Sequence, residues 1–326
     1  MPFCRKRCPY CAFVLIESDG SLHDRFVEKV RGEILAARPA ARTLYFGGGT
    51  PSMLGAAAIG RLIEAVGGRP EEITVEANPD GLQAAGLRAA GVTRLTLGIQ
   101  ALDDGLLRTL GREHDAEGAR RAYREAVREI DNICVDLIFG VPGQTRDGWR
   151  RTLDEVRSWK PAHVSLYGLT YEAGTPFEKI RDRLPESEER TMYEMAMDAL
   201  ADYHHYEISN WARPGFESRH NRAYWEGRPY VGFGPGAHSY DGAERRWNIA
   251  NVREYLERAD PTAGRETLTP EQRRLERLLL GLRQDSGVEM ESVPAGLEPF
   301  LARDGGRVRL TRAGKCVADS VIAKLL

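Results

Sequence analysis

The chain of 326 residues has no apolar run long enough to cross a bilayer. Its longest, Cys11 to Ile16, falls far short of the roughly 20 residues that a spanning helix needs. No secretory leader is visible, and 5 cysteines offer no even framework for disulfides, which a chain able to bury a large core does not need. An excess of one charge is missing too. With 46 basic and 48 acidic residues interspersed, a net charge of -2 gives no electrostatic case for bulk nucleic-acid binding. Sustained repeats and low-complexity tracts are absent. These absences point to a cytoplasmic protein with one large domain and a smaller one.

What is present is concentrated at the start, where Cys4, Cys8 and Cys11 stand in C-x3-C-x2-C spacing. Structural zinc sites and ordinary iron-sulfur clusters take four protein ligands, so three thiolates suggest a cluster that keeps one iron for a non-protein ligand. Cys8 and Cys11 alone also read as a redox dithiol or half a zinc site. Cys134, in an apolar strand-like run, and Cys316, in a helical pattern, read as small buried side chains rather than a fourth ligand. The intervening Arg5, Lys6 and Arg7 suit either an acidic electron donor or a solvated loop.

Further along, strand-like runs at 43–46, 73–78, 94–100, 132–140 and 163–170 alternate with helical stretches near 22–38, 53–67, 81–90, 115–129 and 145–159. That repetition predicts an α/β fold with a parallel sheet, whose sites lie at strand C-termini. Gly47, Gly48, Gly49, Glu76, Gln100 and Asp136 all fall there. The glycine run allows close backbone approach to a small ligand. It lacks the P-loop lysine and the dinucleotide-fingerprint spacing, so plain turn chemistry is the competing reading. Taken singly, Glu76, Gln100 and Asp136 also fit helix caps or surface groups, and Arg112 a solvated helix-terminal charge.

After a helical stretch at 186–203, the text turns aromatic and glycine-rich from Tyr206 to Trp247, with little periodicity, which suits a binding or wrapping segment. His204 and His205 read as helix-end residues. His220, followed by Tyr224 and Trp225, and His238 are candidate metal ligands, weighed against ordinary hydrogen-bonded histidines. A helix reaching Arg283, a strand-like Gly306 to Thr311 and a last helix predict a small C-terminal domain.

Taken together, the cysteine triad and Gly47-Gly48-Gly49-Thr50-Pro51-Ser52 resemble the radical S-adenosylmethionine superfamily. Val75-Glu76-Ala77-Asn78-Pro79, Leu97-Gly98-Ile99-Gln100, Leu110-Gly111-Arg112-Glu113-His114, the run from Asp136 to Thr145 and Val164-Ser165-Leu166-Tyr167 extend the similarity to its coproporphyrinogen III oxidase-like branch, particularly the HemW-type heme chaperones. The resemblance implies a partial (β/α)6 barrel over 1–170, an extension with the heme motif over 171–257, and a small, mainly α C-terminal domain over 258–326. It implies a [4Fe-4S] cluster on Cys4, Cys8 and Cys11, and S-adenosylmethionine near Gly47, Gly48, Gly49 and Thr50. Glu76, Gln100 and Asp136 would face its ribose side and Arg112 its carboxylate. His220-Asn221-Arg222-Ala223-Tyr224-Trp225 matches the H-N-x-x-Y-W motif associated with heme in these chaperones. The implied task is delivery of heme to acceptor hemoproteins, including respiratory ones, with a flavodoxin- or ferredoxin-like reductant. The alternative is oxygen-independent coproporphyrinogen III oxidation. Those oxidases carry a fourth cysteine where this chain has Phe13, which favours the chaperone. The family also has a strand of the form Y-x-H-I ahead of Pro2-Phe3-Cys4. Here Met1 stands in its way, so the sheet is expected to lack its opening strand and cluster assembly to suffer.

Overall fold

Two short strands, β1 (Phe3–Cys4) and β2 (Ile16–Glu17), pair in parallel and bracket the cysteine loop in this computed structural model, which describes residues 1–18 and 20–325. Helix α1 (His23–Ala37) follows and ends where Arg38 turns left-handed at φ 45°. Four strand-helix units and a fifth strand come next. They run β3 (Thr43–Phe46), α2 (Ala56–Val66), β4 (Glu72–Ala77), α3 (Ala84–Ala89), β5 (Arg94–Gln100), α4 (Asp104–Thr109), α5 (Ala116–Glu129), β6 (Asn132–Phe139), α6 (Arg146–Trp159) and β7 (His163–Gly168). Aspartate or threonine side chains cap several of these helices; Asp103, Asp115 and Thr145 each accept a backbone N–H of the first turn. Helix α4, fewer than two turns long, lies outside the helical stretches bounded from the sequence.

The strands β3 to β7 lie in chain order, parallel, as a curled half-barrel. After α7 (Glu186–Ala199), β8 (His204–Glu207) and β9 (Asn210–Ala212) complete a seven-stranded sheet, β9 antiparallel to β7. His204 and His205 thus lie in a strand, not at a helix end. His205 stacks on Trp211 with ring centroids 3.8 Å apart, and His204 joins Glu217 and Asp285. Tertiary pairing with Trp211 overrides the local helical pattern here.

The segment that lacked periodicity is ordered in short pieces, among them helix α8 (Arg219–Trp225) and strands β10 (His238–Tyr240) and β11 (Glu244–Asn248); helix α9 (Val252–Glu257) and strand β12 (Thr262–Thr267) follow it. Strands β10 to β12 form their own antiparallel sheet. The chain ends in α10 (Pro270–Leu282), strands β13 (Val288–Glu289), β14 (Leu301–Asp304) and β15 (Arg307–Leu310), and helices α11 (Arg312–Lys315) and α12 (Ala318–Ala323). These last elements enclose a separate core of Leu282, Leu297, Leu301, Val308 and Val321. One strand was expected there; three are present.

Period two decides what faces where. Ile73, Val75, Leu95, Leu97, Ile133, Val135, Leu137, Val164 and Leu166 turn outward into the core under the helices. The alternate residues, Glu72, Thr74, Glu76, Arg94, Thr96, Cys134, Asp136, His163 and Ser165, turn inward and make a polar lumen. Cys134, read as a small buried side chain, is buried, and it belongs to that lumen: its Sγ lies 2.9 Å from His163 Nδ1 and 3.1 Å from Ser165 Oγ. Among the described residues, no helix is long and apolar enough to cross a membrane.

Candidate functional site

The cysteine loop sits over the C-terminal ends of the parallel strands. Cys4 closes β1 with its Sγ 3.3 Å from Thr50 Oγ1, and the Cys11 N–H donates to the Cys8 carbonyl at 3.1 Å. Among the described residues no three His, Cys, Asp or Glu side chains converge on a single ion. A cubane cluster takes each cysteine on a different iron and needs no such convergence. The thiols are nevertheless neighbours: burial raises the pKa of Cys4, and Cys11 and Cys8 raise it further.

Arg112, at the end of the loop after α4, reaches into this layer. Its guanidinium donates to the Cys8 sulfur at 3.6 Å, to the Gly98 carbonyl at 3.0 Å and to Asn78 Oδ1. Asn78 donates in turn to Thr50 Oγ1 at 3.2 Å. One fork therefore ties the cysteine loop to the ends of β4 and β5, a geometry that a point-charge lysine does not reproduce. The sequence singled out Arg112 but not Asn78, whose signal was its place before Pro79 at a strand end.

The glycine run follows β3. Gly48 takes φ 111°, and Gly49 and Thr50 donate backbone N–H groups to Met1 O and Phe3 O, each at 2.7 Å. The close approach expected of these glycines is thus made to the chain's own first residues. Glu76 faces the run: Oε2 accepts the Gly48 N–H at 3.0 Å and Oε1 accepts the Tyr45 hydroxyl at 2.5 Å. Burial pushes its carboxyl up to about 7, despite the opposing hydrogen bond from Tyr45. Asp136 is pushed up to about 6, again chiefly by burial. Both carboxyls therefore hold protons well above the usual carboxylate range.

Gln100 carries two separate marks of a ligand-facing residue. It adopts φ 66°, rare for a residue with a side chain, where the register of β5 against β6 slips. Its Oε1 is buried without a hydrogen-bond partner. A buried orphan acceptor is costly and calls for a donor.

His220 lies apart from this layer. Its helix, α8, is docked by the buried Glu72 carboxylate, which accepts the Arg219 and His220 N–H groups at 3.0 Å each. The His220 Nδ1 is 2.8 Å from Thr43 Oγ1, and its ring stacks on Tyr45. Burial depresses its pKa to about 4, so the imidazole is neutral at ordinary pH. Asn221, Tyr224 and Trp225 line a cavity of about 380 Å³ together with Tyr167, Asn210 and Arg283. His238 is exposed on the small sheet, stacked against Trp247, and is not brought to either cluster. Thr43 and Tyr45 were missed by sequence reading; two polar-edged residues at alternate positions of a strand were the available signal.

Comparison with known proteins gives the family and the fold. A family model described as the Radical SAM superfamily matches residues 1–156. Over all of its length the chain is 33% identical to the heme chaperone HemW of Bacillus subtilis, covering 97% of that protein, and 36% identical to HemW of Mycobacterium tuberculosis, covering 93%. The chain belongs to the HemW heme chaperone family of radical SAM proteins. It is similar to HemW of Lactococcus lactis as well, at 37% identity over 89% of this chain and 82% of that one. Among solved structures, the coproporphyrinogen III oxidase HemN from Escherichia coli aligns with a TM-score of 0.84 over 99% of this chain and 88% of that chain. At 21% identity that match establishes the shared fold.

Radical SAM membership implies a [4Fe-4S] cluster and S-adenosylmethionine, and the residues present fit both. Three thiols stand at the mouth of a polar lumen, and an orphaned Gln100 acceptor, two protonatable carboxyls and a fixed guanidinium surround it.

Proposed function

We propose that this chain is a heme-carrying protein that binds heme through His220 and passes it to acceptor hemoproteins, with the cluster held by Cys4, Cys8 and Cys11. The observation that carries this reading is the state of His220: a neutral imidazole, its Nδ1 engaged by Thr43, leaving Nε2 for iron. Tyr224 packs edge-on against it, with ring centroids 4.9 Å apart, and supplies an aromatic wall for a porphyrin face.

S-adenosylmethionine bound at such a cluster, once the cluster is reduced, would accept one electron at its sulfonium. The chain's own part is placement. Arg112 suits a carboxylate, Glu76 and Asp136 suit hydroxyls because each, when protonated, donates as well as accepts, and Gln100 Oε1 offers an acceptor to a ligand N–H or O–H. Arg5 and Lys6 are exposed and suit an acidic flavodoxin- or ferredoxin-like reductant. Arg7 is instead a staple, donating to the carbonyls of Cys11, Phe13 and Leu15. The acceptors include respiratory hemoproteins, and the site of action is the cytoplasm.

Coproporphyrinogen III oxidation is the second reading, supported by the fold shared with HemN. The exposed Phe13 beside Cys11 counts against it, because a fourth thiol stands there in the oxidases that the sequence resembles.

The test is one anaerobic sample, reconstituted with iron and sulfide, then titrated with hemin and assayed with coproporphyrinogen III. Heme uptake that is lost in His220→Ala while cluster absorbance persists is the expected result. Protoporphyrinogen formation without stable heme uptake would reverse the order of the two readings.

A further inference from the structure

We infer that Thr43 and Tyr45, on the edge strand β3, are positioning residues for His220, supporting the tautomer that leaves Nε2 for iron and setting the plane of its ring. The inference rests on the proposal that His220 ligates heme iron.

Both residues lie on the same face of β3, two positions apart. An imidazole can ligate iron through Nε2 only if Nδ1 carries the proton, and a partner at Nδ1 that accepts it selects that tautomer. Thr43 Oγ1, 2.8 Å away, is a hydroxyl able to accept that proton or to donate to a bare Nδ1; with Nε2 given to iron, only the acceptor role is left to it. Tyr45 acts on the other degree of freedom. Its ring lies 5.0 Å from the imidazole, centroid to centroid, at an interplanar angle of 18°.

Tyr45 is itself held. Its hydroxyl donates to Glu76 Oε1 at 2.5 Å, and Glu76 Oε2 accepts from Gly48 N at 3.0 Å. The glycine run, the carboxyl, the phenol and the imidazole are therefore in unbroken contact across the lumen. A histidine on a seven-residue helix is otherwise free to turn about two side-chain torsions; here a hydroxyl and an aromatic face remove that freedom.

The experiment titrates hemin into the anaerobically reconstituted full chain and records both the affinity and the heme absorption spectrum. Thr43→Val keeps the shape of the side chain and removes the Nδ1 acceptor; the expected loss is about 10–100-fold in heme affinity, with a shifted Soret band. Thr43→Ser, which restores a hydroxyl, should recover most of it. Tyr45→Phe cuts only the tie to Glu76 and Tyr45→Leu also removes the stacked face, so affinity should fall in the order wild type, Phe, Leu. Circular dichroism of each variant keeps folding separate from ligation. If Thr43→Val and Tyr45→Leu bind hemin with wild-type affinity and spectrum while His220→Ala does not, the inference is overturned and the functional reading stands. If His220→Ala also binds as wild type, both are overturned.

Discussion

Gly49 passes so close to Phe3 that a methyl group on Gly49 would stand 2.7 Å from the Phe3 carbonyl oxygen. The obstacle is backbone, so relief requires Phe3 and the adjoining Cys4 to move. Gly49→Ala should therefore lower iron and sulfide content after anaerobic reconstitution by several-fold, measured per chain. Gly32→Ala is the contrast: this exposed glycine in α1 has nothing within 4 Å of the added methyl, and helix propensity predicts a gain of up to about 1 kcal/mol in urea unfolding. Equal cluster content in the Gly49 variant and wild type would refute the steric argument.

Arg112 supports the same loop from the other side. Arg112→Met leaves the Gly98 carbonyl and Asn78 without their charged donor and frees Cys8. The expected cost is about 1.5–3 kcal/mol in unfolding free energy, with reduced cluster occupancy. Arg112→Lys should not restore occupancy, because an ammonium cannot reach three partners in a planar fork. Full recovery by lysine would mean that charge alone matters there.

The carboxyl of Asp136 gives a pH signature. Its folded pKa is raised from the ordinary 3.8 to about 6, so its contribution to stability is fully present below 3.8 and is lost as pH rises through 6. Asp136→Asn has no charge to bury. Relative to the asparagine variant, wild type should lose about 1–3 kcal/mol between pH 4 and pH 8, read from urea midpoints at each pH. A difference that stays constant with pH would show that the carboxyl is well solvated.

Phe26 tests the packing beneath the cysteine loop. It is fully buried in α1, edge-on to Phe3 with ring centroids 5.1 Å apart, and 6.3 Å from the Tyr255 ring. Phe26→Ala should cost about 3–5 kcal/mol by loss of buried area and the cavity left behind. A thermal midpoint unchanged from wild type would show that the site collapses freely.

Much of this molecule was determined by local sequence. The C-x3-C-x2-C spacing, the glycine run after Thr43-Leu44-Tyr45-Phe46, and the alternation of helical and strand-like runs depend on residues close in the chain, and they sufficed for the parallel sheet and for placing Glu76, Gln100 and Asp136 in the later halves of its strands. Period two within β4, β5 and β6 also held the polar lumen in plain view. Tertiary structure alone decided the rest. That Arg112 reaches Cys8 across 104 positions, that Thr43 meets His220 across 177, and that His205 joins a strand against Trp211 depend on where the barrel curls and where α8 docks on Glu72. Such contacts are set by the packing of whole elements, and no spacing pattern within a short window encodes them.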